Sequence, residues 1–171
     1  DAVPQDTAVV EDLPPLPEVA ADSTRGWRTY RLISDDAAFS YPLDWEIVDE
    51  DSNSASLKST DGSNASIIVT GSTAVVDFSD GASAIRSLKS EMADISDFDL
   101  RFLEEGVLAL PGGPIYVSAS ATYNSRTVGF LAVMAPVGSR TVTLLYMRLN
   151  HPDVSAEALP LLTQMAATLA P

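Results

Sequence analysis

The segment from Ile115 to Leu149 constrains the fold more than any other part of the chain. It reads as a three-strand meander, Ile115–Tyr123, Thr127–Ala135 and Thr141–Leu149, turned at Asn124-Ser125 and at Val137-Gly138-Ser139. In the second strand Phe130, Ala132 and Met134 point one way while Leu131, Val133 and Ala135 point the other. A strand with one wet face alternates apolar with polar residues, and the second and third of these do not. Both faces of their sheet need cover. Phe130, Leu131, Leu144 and Leu145 are therefore expected in central strands covered on both sides.

Two segments can supply that cover. After Ser79-Asp80, either of which can cap a helix, Ile85, Leu88, Met92 and Ile95 recur at helical spacing, with Arg86, Lys89 and Glu91 facing outward. A second helix runs from about Ser155 to Leu169 with Leu159, Leu162, Met165, Ala166 and Leu169 on its stripe. Pro160 either distorts its first turn or marks the start of its regular part. The expected architecture is α+β, an antiparallel β-sheet flanked by helices on both faces as a three-layer α/β/α sandwich. Before the first helix, strands are expected at Trp27–Leu32, at Phe39-Ser40-Tyr41, from Trp45 to Val48, at Ala55–Ser59 and at Ala65–Gly71. Leu100–Leu110 reads as a further strand, bulged near Glu105-Gly106 and ended by Pro111-Gly112-Gly113-Pro114.

Residues 1–24 differ in kind. They hold Asp1, Asp6, Glu11, Asp12, Glu18 and Asp22, no lysine or arginine, and Pro4, Pro14, Pro15 and Pro17. Repelling carboxylates and missing backbone donors predict an extended, disordered tail suited to a tether, with a single folded domain over residues 25–171. The 46% hydrophobic content of the 171 residues is enough for one core. A formal net charge of −14 sets the surface against nucleic-acid phosphates and anionic membranes. The lack of cysteine excludes disulfides and thiolate chemistry. No apolar run reaches the ~20 residues of a membrane span. The start at Asp1 rather than methionine fits a removed signal peptide or a cut made elsewhere upstream.

Phe39-Ser40-Tyr41-Pro42-x-x-Trp45 ends one strand at a proline and opens the next with a tryptophan. Together with the mid-chain helix, the long meander and the final amphipathic helix, it resembles the PsbP-like fold superfamily from about Trp27 to Leu169. Within that superfamily it resembles the DcrB-like and LpqN-like bacterial extracytoplasmic proteins. The resemblance implies a non-catalytic binding or assembly module with protein partners of the cell envelope, periplasmic or cell-surface, and tethered like a lipoprotein. Any lipobox cysteine would precede Asp1. It also admits a chaperone of a secretion-system effector. An enzyme with an unrecognised site is the remaining alternative.

No catalytic, cofactor-binding or metal-ligating residues are assigned, and no cofactor is expected. His151, the only histidine, falls with Asp153 at a strand-to-helix junction where a turn and a cap are expected anyway, and Asp153 or Ser155 is placed to cap the helix. No Gly-x-Ser-x-Gly elbow accompanies it. Asp35-Asp36 and Asp49-Glu50-Asp51 are acidic loops without the spacing of a calcium loop. Glu104 and Glu105 are strand neighbours that point apart unless a bulge intervenes. The Pro111–Pro114 turn lacks the lysine and helix of a phosphate loop. Arg25, Arg28 and Arg31 form one cationic group, and Trp27, Tyr30 and Tyr41 are read as core aromatics rather than a ligand surface.

Overall fold

A computed structural model describes residues 24–34, 37–95 and 99–171. The acidic tail before Thr24 and the Asp35-Asp36 pair lie outside the described residues. Among the described residues nine strands and two helices follow in the order β1 (Arg28–Arg31), β2 (Ala38–Tyr41), β3 (Trp45–Glu50), β4 (Ser54–Ser59), β5 (Ala65–Ser72), α1 (Gly81–Ile95), β6 (Arg101–Val107), β7 (Ile115–Tyr123), β8 (Arg126–Val137), β9 (Arg140–Leu149) and α2 (Ser155–Ala167). Seven strands form one sheet in the order β3-β4-β5-β9-β8-β7-β6, and every neighbouring pair is antiparallel. The fold is α+β, with one large antiparallel sheet and two helices.

The meander is in place because its turns and its pattern agree. Asn124 and Ser125 both take positive φ, 47° and 64°, as a two-residue turn between twisted strands requires. The turn sets the register Tyr123↔Arg126 through Ile115↔Met134. Side chains of β8 then divide between two separate cores. Phe130, Ala132 and Met134 join Leu88 and Met92 of α1, whereas Leu131 and Val133 join Leu162 and Met165 of α2.

Two local expectations are corrected and one alternative is decided. β1 and β2 pair with each other as a separate two-stranded sheet rather than extending the large one. Pro42 and the turn behind it break the ladder there, and β2 instead bridges Ala170 beyond α2 through Ala38. Of the two alternatives for Pro160, a start of the regular helix there is removed: α2 begins at Ser155, as expected, with the proline inside it. Strand β6 ends at Val107, short of Leu110, and its bulge falls between Phe102 and Glu105. There the Glu104 N–H leaves the ladder and donates to Ser118 Oγ at 3.0 Å.

Asp80 caps α1 as its position suggests: Oδ1 accepts from Ser83 N–H at 3.2 Å, and its carbonyl accepts from Ala84 N–H at 3.0 Å. The cap of α2 is different. Val154 occupies the position with no side-chain capping bond, being 1% exposed and packed into the core. Asp153 acts one residue earlier, its Oδ1 accepting from Ser155 N–H at 3.0 Å, a bond that holds its carboxyl below the usual carboxylate range.

Candidate functional site

A seven-stranded sheet is roughly 30 Å wide at about 4.8 Å per strand, while a helix with its side chains is about 10 Å across. One helix therefore covers two or three strands. On the α2 side the strands of the small sheet help, because Leu32, Phe39 and Tyr41 pack into the same core. On the other side α1 lies on β6 and β7 and stops at β8 and β9. Beyond its edge the pairing of β9, β5 and β4 lines up Leu145, Ile68 and Ser56, none of them buried. Leu145 is thus half-buried, contrary to the full cover expected for it.

The gap between α1 and this open face is a groove with a cavity of about 140 Å³. Its lining is Leu88, Glu91 and Met92 from α1, Ile68 and Thr70 from β5, Ala132 from β8, and Thr143 and Leu145 from β9. The size is on the order of an apolar cavity that holds a benzene ring. Glu91 is the one ionisable group of the wall. It does not face outward as its sequence context suggested. Burial raises its carboxyl above the ordinary value, and a hydrogen bond from the Thr143 hydroxyl partly counters this.

The groove offers shape, an apolar wall and one carboxyl. It brings together no nucleophile, base and orienting group. Ala84, Leu88, Glu91 and Ile95 nevertheless share one 3.6-residue stripe, a periodicity that the outward placement expected for Glu91 leaves out. A carboxylate on the stripe that seats the helix is out of place unless it lies at the edge of cover.

Glu91→Gln is expected to raise the melting temperature at neutral pH. The folded state raises this carboxyl above its unfolded value, so its favourable contribution is complete at low pH and is lost as pH climbs through the folded value. Glutamine mimics the protonated form and keeps what the wild type loses. Water screens a half-exposed group, so the gain stays below about 1 kcal/mol. Calorimetry should show it shrinking to nothing below about pH 4. A gain that grows on acidification would contradict the assignment.

The sequence-predicted candidates lie elsewhere and do not converge. His151 follows Asn150 in the turn out of β9, and its backbone carbonyl lies close over Gly129. The carboxylates of Asp49, Glu50 and Asp51 are each engaged separately: Asp49 accepts from Glu50 N–H at 3.0 Å, Glu50 from the Tyr30 hydroxyl, and Asp51 from the N–H groups of Asn53 and Ser54, both at 2.8 Å. The bond to Glu50 holds the Tyr30 phenol protonated, pushed up to about 12. Among the described residues, no three histidine or acidic side chains are grouped to hold a metal ion.

Glu105 stands opposite Val117 on the α1 face and pairs with Lys89 at 2.7 Å, whereas the bulge sets Glu104 against Ser118 on the other side. Lys89 Nζ also lies 5.2 Å from the Phe102 ring centroid. Pro111–Pro114 is a turn in which Pro114 O accepts from Leu108 N–H at 2.7 Å. Arg28 and Arg31 sit at opposite parity on β1, so they face apart. Tyr41 is buried, and Tyr30 stacks at a tilt on Phe39 with centroids 5.7 Å apart. The core reading of these aromatics holds for Tyr41, with Trp27 and Tyr30 packed half-buried against the same cluster.

The sequence matches no known family profile and no curated protein. Solved structures do match. The Ran-binding protein Mog1p of Saccharomyces cerevisiae superposes with a TM-score of 0.61 over 84% of this chain and 94% of its own, at 13% identity. The chain has the Mog1/PsbP-like fold. LpqN of Mycobacterium tuberculosis, described as involved in cell envelope biogenesis, shares this fold with a TM-score of 0.50 over 88% of this chain and 95% of its own, at 16% identity. A Pseudomonas aeruginosa protein of unknown function, PA94, matches at 0.50 and 16% over 85% of this chain and 96% of its own. At such identities the Mog1/PsbP-like likeness is one of fold, and function has to be argued from the groove.

Proposed function

We propose that this chain is a non-catalytic protein-binding module of the cell envelope, acting outside the cytoplasm, with the groove beside α1 as its docking site. The observation that carries the reading is the apolar pair Ile68 and Leu145, left only half-covered on a sheet whose opposite face is closed by α2 and β2. A core that is complete on one side and open on the other is suited to being finished by another molecule. A three-layer order, helix on sheet on helix, is part of this reading and is supported by the division of β8 side chains between the α1 and α2 cores. The LpqN-like placement and the tethering role of residues 1–24 belong to the same proposal. Among the described residues no helix is long and apolar enough to cross a membrane.

The test is a photo-crosslinking side chain at the groove rim. With benzoylphenylalanine in place of Thr70, a partner from the envelope fraction should be captured. The same probe at Ala156, exposed on α2, should not capture it, and Ile68→Lys should abolish the capture at an unchanged fold. Equal capture from Ala156, or capture that survives Ile68→Lys, would refute the docking site. A partner found only in the cytoplasmic fraction would refute the envelope assignment.

A further inference from the structure

The groove carries more information than its shape. Glu91 is held partly out of water, and the Thr143 hydroxyl is the partner it is given there. Lys89, two residues earlier on the same helix, is turned to the opposite flank and bound to Glu105 at 2.7 Å. A carboxylate so placed gains by meeting a cation, because pairing offsets the cost of desolvation that an apolar ligand would only increase.

We propose that the groove takes an aliphatic side chain of a partner protein together with the lysine or arginine adjoining it, the first in the apolar wall and the second on Glu91. This rests on the reading of the groove as a protein-docking site. The cavity of about 140 Å³ admits one such side chain. Charge decides among the possible occupants. A second copy of the chain brings a net charge of −14. Residues 1–24 bring acidic groups and no lysine or arginine. Anionic lipid and nucleic acid are also repelled. A basic, partly apolar polypeptide segment meets both features of the site at once, the apolar wall supplying burial and the carboxylate supplying orientation and selectivity.

The probes are three blocked hexapeptides that differ at one position, with leucine followed by arginine, by glutamine or by glutamate. Binding is read from the methyl resonances of Ile68, Leu88, Met92 and Leu145 at low salt. The leucine–arginine peptide should shift these signals and bind about fivefold more tightly than the leucine–glutamate one, with the glutamine peptide between them. Glu91→Gln should erase the ranking while the groove methyls still respond. Added salt should compress the ranking as well. Equal binding of all three peptides at these methyls would overturn the cation and leave the docking site standing. Failure of all three to shift the groove methyls would overturn both. Shifts confined to other surfaces would do the same.

Discussion

Gly129→Ala is expected to destabilise the protein by about 3 kcal/mol, enough to leave a marginal domain largely unfolded. Gly129 lies in β8 where the chain leaving β9 crosses over it. An added Cβ would sit 2.2 Å from the carbonyl oxygen of His151 and 2.7 Å from Val154 Cγ1. Neither neighbour can easily give way. The Asn150 N–H is tied to Thr127 O at 2.7 Å, and Val154 is buried at the start of α2. At His151 the atom packed over Gly129 is the backbone carbonyl, which glutamine keeps, and His151→Gln is expected to change stability by under about 0.5 kcal/mol. Denaturant titration of both variants checks the pair. A tolerated alanine at 129 would mean that the β9–α2 turn does not pass as described. A collapse on His151→Gln would mean that the ring has structural work to do.

Leu144→Ala should cost about 2–5 kcal/mol, and Leu145→Ala only about 1 kcal/mol. The two leucines are adjacent on β9 and chemically identical. Leu144 is fully buried in the core under α2, whereas Leu145 stands half-covered at the groove. The difference between them measures the asymmetry of the two sheet faces directly. Equal losses would show that the α1 face is closed, and the docking site would then have no opening.

Much of this fold is readable from local chemistry because local chemistry determines it. Asn124-Ser125 specifies a tight turn, Asp80 specifies a helix start, and Leu131 beside Phe130 specifies a strand buried on both sides. What failed depends on distant partners. The separation of β1–β2 follows from Ala38 finding Ala170, a pairing that no window around Ala38 contains. Val154 replaces a polar cap because Gly129, in β8, leaves room for it. The groove is not legible in the sequence for a geometric reason. Periodicity tells which faces are apolar, but how far one helix reaches across seven strands appears only when the sheet order is known. Glu91 on the Leu88 stripe was the one local sign of that edge.

The bond from Ser40 N–H to Thr168 Oγ1, at 2.8 Å, joins residues 128 positions apart. Together with the bridge between Ala38 and Ala170, it fastens a strand near the start of the described residues to the segment just beyond α2. At a synthesis rate of about 5–20 residues per second, β2 waits on the order of ten seconds for that clasp. The large sheet, whose strands end at Leu149, has all its pieces before then. The small sheet is accordingly clasped only once the segment beyond α2 has been made, and until then the apolar side chains of Phe39 and Tyr41 lack part of their cover.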